Sequence, residues 1–102
     1  MNENSPIIIL AEKLELSIQN FNNKNQEEQF ELLSTYLNQL VQHDFNKLLI
    51  ILYRIDVSEE KLKAALKNNA DDNLSGPVIA KLLIQREQEK IKLRALFSKK
   101  NP

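Results

Sequence analysis

The sequence has no cysteine, one glycine, three prolines and a single histidine among its 102 residues. Without cysteine, the chain cannot form disulfides, thiolate metal sites, iron–sulfur clusters or cysteine nucleophiles. A single glycine excludes a glycine-rich loop for phosphate binding. Because strand-rich domains use glycine and proline in many tight turns, their scarcity favours a few long helices.

Long apolar runs are also missing from the chain. The longest, residues 48–53, is far shorter than the ~20 residues that a membrane-spanning helix needs. The first 20 residues lack a signal-peptide pattern, since the apolar residues 7–10 are followed at once by Ala-Glu-Lys. Hydrophobic residues make up 42% of the chain and charged residues 27%, as in ordinary globular proteins. We therefore expect one cytoplasmic domain that makes no membrane contact.

The charges sum to zero but are unevenly distributed along the chain. Residues 1–35 carry six acids and two bases, whereas residues 81–102 carry seven bases and two acids. The two ends could attract each other within the fold, and basic residues also suit the C-terminal end of a helix. A third interpretation is that the basic end contacts an acidic partner.

Apolar residues recur at helical spacing through most of the chain. Ser5-Pro6 predicts a helix start, and Asn25 with Glu28 predicts a capping box. Residues 26–55 could form one helix or two, and Asp44, a good cap residue, favours a break beside it. Residues 48–52 are apolar on nearly every side and should lie at the centre of the core. The sequence therefore predicts an all-α fold, a small bundle of four or five helices at about residues 6–20, 26–42, 45–55, 59–68 and 77–97.

The stretch IDVSEEKLKAAL (residues 55–66) predicts a helix end, a three-residue corner and a new helix. It resembles the turn and second helix of helix-turn-helix DNA-binding domains, in which Val-Ser follows a tight turn. The sequence departs from that family at Asp56, where glycine is usual, and at Leu52, where a small residue is usual. Glu59 and Glu60 open the helix that would read DNA, although acidic side chains there repel phosphate.

Two segments are similar to metal-binding motifs but lack essential ligands. The loop from Asp71 to Gly76 resembles the start of an EF-hand calcium loop, with oxygen-bearing side chains at positions one, three and five and glycine at six. Position seven is Pro77, and Leu82 occupies position twelve, where the family has a glutamate that closes the coordination sphere. The second segment, His43-Asp44, is similar to the His-Asp pair of metal-dependent phosphohydrolases. The chain has no other histidine, so the further ligands of such a metal site are missing. We predict no metal site, with cation binding by the 71–76 loop left open.

The acidic residues give no sign of an active site. Apart from adjacent pairs at helix starts and in one loop, they are scattered over polar faces. None is predicted to lie in an apolar pocket that would raise its pKa for acid catalysis. We therefore expect neither an enzyme, nor a cofactor, nor a small-molecule substrate.

The last predicted helix changes character along its length. It is apolar at its start, wholly polar through QREQEK (residues 85–90), and apolar again afterwards. We predict that it leaves the core near Gln85 and projects, so that its later apolar residues need another surface to cover them. Basic residues at i, i+4 and i+8 form a stripe along this helix. The predicted partner-binding residues are Arg86, Lys90, Ile91, Leu93, Arg94, Leu96 and Phe97.

These patterns predict a non-catalytic module for protein–protein interaction. Its C-terminal helix would bind a protein partner or a second copy of the chain, giving a homodimer in the latter case. The alternative is a nucleic-acid-binding protein that uses either the helix-turn-helix-like segment at 45–68 or the basic C-terminal helix. The two hypotheses differ in salt dependence, because phosphate contacts weaken steeply as salt rises.

Overall fold

The computed structural model describes residues 5–68 and 75–100 of the chain. Within these ranges there are α-helices and no β-strand, which confirms the predicted all-α class and agrees with a small helical bundle. The described helices are α1 (Pro6–Lys13), α2 (Ile18–Asn22), α3 (Gln26–His43), α4 (Phe45–Ile55), α5 (Glu59–Asn68) and α6 (Ser75–Lys100).

The described helices number six, one more than the upper prediction, because the segment predicted as one helix over residues 6–20 is two helices. The chain leaves α1 through Glu15, whose φ of 61° is left-handed. The Leu16 amide donates to the carbonyl of Ala11 at 2.8 Å and closes the helix end. Glycine or asparagine usually occupies such a position, so a glutamate there gave no signal in the sequence.

Residues 26–55, which could have been one helix, are also two helices, as the cap residue Asp44 predicted. The Asp44 side chain accepts a hydrogen bond from the Lys47 amide at 3.2 Å and so caps α4. At the start of α3, the predicted capping box is present, with Asn25 and Glu28 each accepting a bond from the other's backbone amide. These local bonds place the helix boundaries where the cap residues stand.

The antiparallel pair α3 and α6 is the centre of the fold and has the most extensive contact between helices. Near the start of α6, Gly76 lies so close to α3 that a Cβ atom would overlap the Ser34 carbonyl oxygen. Further along α6, Ile84 and Gln88 line a cleft together with Gln26, at the start of α3. The side chains of this pair pack with those of α1 and α4 to form the core. Its fully buried side chains include Leu10, Leu33, Leu37, Leu48, Leu52, Ile55, Ile79 and Leu83.

Helix α4 covers one side of this core and is not central to it. Its inner side chains are buried, but Ile50 is 56% exposed and Tyr53 is 88% exposed. The prediction that residues 48–52 occupy the centre of the core is therefore wrong for the outer side of this helix. No neighbouring helix covers that side within the described residues.

Helix α6 is eight residues longer than α3, which corresponds to about 12 Å at 1.5 Å per residue. Its buried side runs through Leu83 to Glu87, two residues past Gln85, and Lys90 and Ile91 are half-buried. Every side chain from residue 92 to residue 97 is exposed. We call residues 92–97 the α6 extension.

In the described parts of the chain, no helix combines the length and apolar character needed to cross a membrane.

Candidate interaction surface

The α6 extension carries three large apolar side chains that the described residues leave uncovered. Leu93 is 47% exposed, Leu96 is 56% exposed and Phe97 is 64% exposed. Spacings of three and four residues place them on one side of the helix. Exposed apolar residues that cluster in this way mark interaction sites more often than apolar residues scattered singly.

Arg86 holds α6 against the corner between α4 and α5. Its guanidinium donates to the Asp56 carboxylate at 2.9 Å and to the Asp56 carbonyl at 3.2 Å, and it also donates to Glu89 at 3.1 Å. The hydrogen bonds to Glu89 and Asp56 raise the pKa of Arg86 above its ordinary value. Because its donors are engaged within the chain, Arg86 anchors the base of the α6 extension.

An ionic cluster around one buried carboxylate lies on the neighbouring side of α6. Glu87 is fully buried, and its Oε2 lies 2.8 Å from Nζ of Lys13 in α1 and 3.5 Å from Nζ of Lys90. Its Oε1 has no hydrogen-bond partner among the described residues. Burial lowers the pKa of Lys90 below its ordinary value of 10.5, although the carboxylate of Glu87 opposes this effect.

Sequence reasoning missed the burial of Glu87, although a signal was present. Glu87 follows Leu83 by four residues and Ile79 by eight, so it continues the apolar side of the helix. Residues 85–90 are all polar, so their composition indicates an exposed stretch and hides this register. The resulting cluster extends the packed part of α6 to the beginning of the α6 extension.

The structure separates the predicted contact residues into two groups. Arg86 and Lys90 form ion pairs at the base, and Ile91 beside them is half-buried. The other four, Leu93, Arg94, Leu96 and Phe97, lie together on the α6 extension and are exposed. Of the predicted basic stripe, only Arg94 has no acidic partner in the described chain; its Nε donates to the carbonyl of Lys90 at 3.4 Å.

A second exposed surface, which the sequence did not predict, lies beside Arg86. An open cleft of about 620 Å³ is formed where α4 ends and α5 begins. We call it the corner cleft; it is lined by Leu49, Tyr53, Ser58, Glu59, Glu60 and Arg86, among other residues. Tyr53 is the most exposed of the large apolar side chains described, and Glu59 and Glu60 are exposed at the acidic rim.

The predicted three-residue corner is present between α4 and α5. Asp56 adopts the left-handed conformation, with φ 68° and ψ 47°, and the amide of Val57 donates to the carbonyl of Leu52 at 2.9 Å. Ser58 Oγ accepts from the backbone amide of Lys61 at 3.2 Å and so caps α5. The corner therefore joins α4 and α5 through three residues, with acidic residues in the first turn of α5.

Metal binding gains no support from the described residues. Residues 71–74 of the loop that resembles an EF-hand lie outside them. Within the described ranges, no group of three or more His, Cys, Asp or Glu residues is arranged to hold a metal ion. No protein-family model, no curated protein and no solved structure matches this chain.

Proposed function

We propose that this protein is a non-catalytic helical interaction module that binds another protein surface through the α6 extension. The observation that carries the proposal is the joint exposure of Leu93, Leu96 and Phe97 on one side of a helix that extends beyond the bundle. A rigid helix presenting an apolar side fits an apolar surface on a partner. Leu93, Leu96 and Phe97 supply the buried area, whereas half-buried Ile91, three residues after Gln88 and four before Ala95, lies on the other side of α6.

The charges of the α6 extension favour an acidic partner surface. Glu87 and Glu89, the acids nearest to it, are already paired with bases of the same chain. Lys92 and Arg94 are exposed and have no acidic partner in the described chain. The apolar side is thus flanked by positive charge, which an acidic rim on a partner would complement. Arg86 and Lys90 hold the base in place and contribute less to the contact than Arg94.

The nucleic-acid hypothesis has weaker support from the same residues. Glu59 and Glu60 are exposed where α5 would approach phosphates, and they oppose binding there. Two of the three residues in the basic stripe, Arg86 and Lys90, are engaged by carboxylates of the chain. The cytoplasmic location predicted from the sequence remains part of the proposal.

A matched pair of variants tests the proposal. Leu93→Asp with Phe97→Asp places two charges on the apolar side of the α6 extension. Gln88→Asp with Ala95→Asp adds the same two charges on the opposite side of the helix, at exposed positions. Circular dichroism should show equal helix content for both variants, because none of the four side chains is buried.

The readout is the set of proteins that bind from native lysate, with and without nuclease. We expect the Gln88/Ala95 variant to retain the partners of the intact chain and the Leu93/Phe97 variant to lose them. Equal retention by both variants would contradict the proposal. Loss of all partners on nuclease treatment would favour the nucleic-acid hypothesis instead.

A further inference from the structure

We propose that the surface bound by the α6 extension belongs to a second copy of this chain, with each α6 extension packed into the corner cleft of the other copy. This inference rests on the proposed function and deepens it by naming the partner. Two features beyond the α6 extension support it, the outer side of α4 and the acidic rim of the corner cleft.

The exposed apolar side chains form two complementary groups. Among the described residues, the large exposed apolar side chains lie only on α4 and the α6 extension. Ile50 and Tyr53 lie on the outer side of α4, and Leu49, half-buried, lines the corner cleft beside them. The three side chains of the α6 extension are few for an interface of roughly 800 Å² per partner. A reciprocal contact would bury the α6 extension together with Leu49 and Tyr53, which line the corner cleft, in both copies.

The corner cleft and the α6 extension lie on the same flank of the molecule, and Arg86 connects them. It binds Asp56, three residues after Tyr53, and it also lines the corner cleft. Leu93 lies seven residues after Arg86, and Phe97 lies eleven residues after it. Both are therefore on the same side of α6 as Arg86, about 10.5 Å and about 16.5 Å farther along the helix. The α6 extension therefore lies beside the corner cleft of the same chain. A two-fold dimer needs such a self-complementary surface, in which the same patch serves both copies.

The charges distinguish this arrangement from simple pairing of two α6 extensions. If the two α6 extensions lay side by side in parallel, Lys92 and Arg94 would lie beside the same residues of the second copy, and like charges repel. In the corner cleft, Lys92 and Arg94 would lie near the acidic residues Glu59 and Glu60. Lys61 is the one other base that lines the cleft besides Arg86, which is paired with Asp56. Asp56 and Arg86 neutralise each other at the edge of the cleft. Charge complementarity thus favours the contact between the α6 extension and the cleft.

The first test is the oligomeric state of the purified chain, measured by sedimentation over a concentration series at low salt. We expect a dimer whose dissociation constant rises at least tenfold with Leu93→Asp and Phe97→Asp. Tyr53→Ser should also weaken the dimer, because Tyr53 is almost fully exposed in one copy and its loss leaves the core unchanged. Gln88→Asp with Ala95→Asp should leave the dissociation constant within about threefold of its original value.

The second test is charge reversal with rescue. Chains carrying Glu59→Lys with Glu60→Lys should dimerise weakly, as should chains carrying Lys92→Glu with Arg94→Glu. When the two variants are mixed, both contacts of the heterodimer regain opposite charges. We therefore expect the mixture to recover most of the original affinity. Failure of the mixture to recover would overturn the placement in the corner cleft.

The outcomes separate this inference from the proposed function. A purified chain that stays monomeric at every concentration overturns the second-copy inference. If that monomer still binds other proteins in a way that depends on Leu93 and Phe97, the proposed function holds. If neither self-association nor partner binding depends on these two residues, both fail.

Discussion

Lys13, the last residue of the first helix, forms an ion pair with Glu87 of the last helix, with 2.8 Å between Nζ and Oε2. The two residues are 74 positions apart in the sequence. Glu87 is fully buried, whereas the side chain of Lys13 is 38% exposed. The pair joins α1 to α6 immediately before the α6 extension begins, so it fixes the base from which the helix projects.

The first prediction concerns the two ends of this ion pair. Lys13→Ala should lower the free energy of unfolding by about 1–3 kcal/mol, because the buried carboxylate loses its nearer partner while Lys90 remains. Glu87→Leu should change it by less than about 1 kcal/mol, since a similar apolar volume replaces a carboxylate whose Oε1 is unpaired. Urea denaturation measures both. A larger loss for Glu87→Leu than for Lys13→Ala would contradict the prediction.

A second prediction follows from the lowered pKa of Lys90, whose neighbours are Glu87, Lys13 and Arg86. Between its lowered pKa in the folded chain and 10.5 in the unfolded chain, the unfolded state binds more protons. Stability should therefore rise with pH in this alkaline window, relative to Lys90→Gln. The measurement is the difference in unfolding free energy between the two proteins from neutral pH to 10.5. A difference independent of pH would refute the assignment to Lys90.

The sequence could predict those parts of the fold that depend on local bonds. Asn25, Asp44 and Ser58 were recognisable as helix caps, because each cap joins residues three apart. The end of α1 could not be predicted in this way. It depends on Glu15 in a left-handed conformation that glutamate seldom adopts, and nothing nearby in the sequence marks it.

The candidate site was partly visible for a related reason. Helical spacing identified Leu93 and Phe97 as apolar residues beyond the polar stretch, and both are exposed. The burial of Glu87 and the exposure of Tyr53 depend on which helices pack against each side. Hydrophobicity is a poor guide to both, since the charged side chain is inside and the aromatic one is outside. Whether Glu87 and Tyr53 are buried or exposed depends on how α1, α4 and α6 pack together.

A third prediction tests the close approach of α6 to α3. Gly76→Ala should destabilise the protein by about 1–3 kcal/mol, since its Cβ would overlap the Ser34 carbonyl oxygen and force the helices apart. Glycine to alanine in an open helix normally has the opposite sign, a gain of about 0.5–1 kcal/mol. Thermal and urea unfolding of the variant therefore give a clear answer. An increase in stability would show that the contact is loose.

The fourth prediction concerns the backbone between α1 and α2. Glu15→Gly should stabilise the protein by about 0.5–1 kcal/mol, because glycine adopts the left-handed conformation without the cost that a side chain carries. Glu12→Gly is the matched control, an exposed residue inside α1, and should destabilise by a similar amount. Urea denaturation of both variants supplies the comparison. Loss of stability in both would mean that position 15 is not strained.

The last prediction separates folding from binding. A chain ending at Ile91 should unfold cooperatively, with a free energy of unfolding within about 1 kcal/mol of the full chain, because every side chain from residue 92 to residue 97 is exposed. A chain ending at Gln85 also removes the Arg86–Asp56 ion pair and leaves the buried space of Glu87 empty, so it should lose several times more. Urea denaturation and circular dichroism of the two chains measure this contrast. If the chain ending at Ile91 did not unfold cooperatively, the α6 extension would be needed for the stability of the fold. Binding defects of Leu93 or Phe97 variants would then be explained by loss of structure.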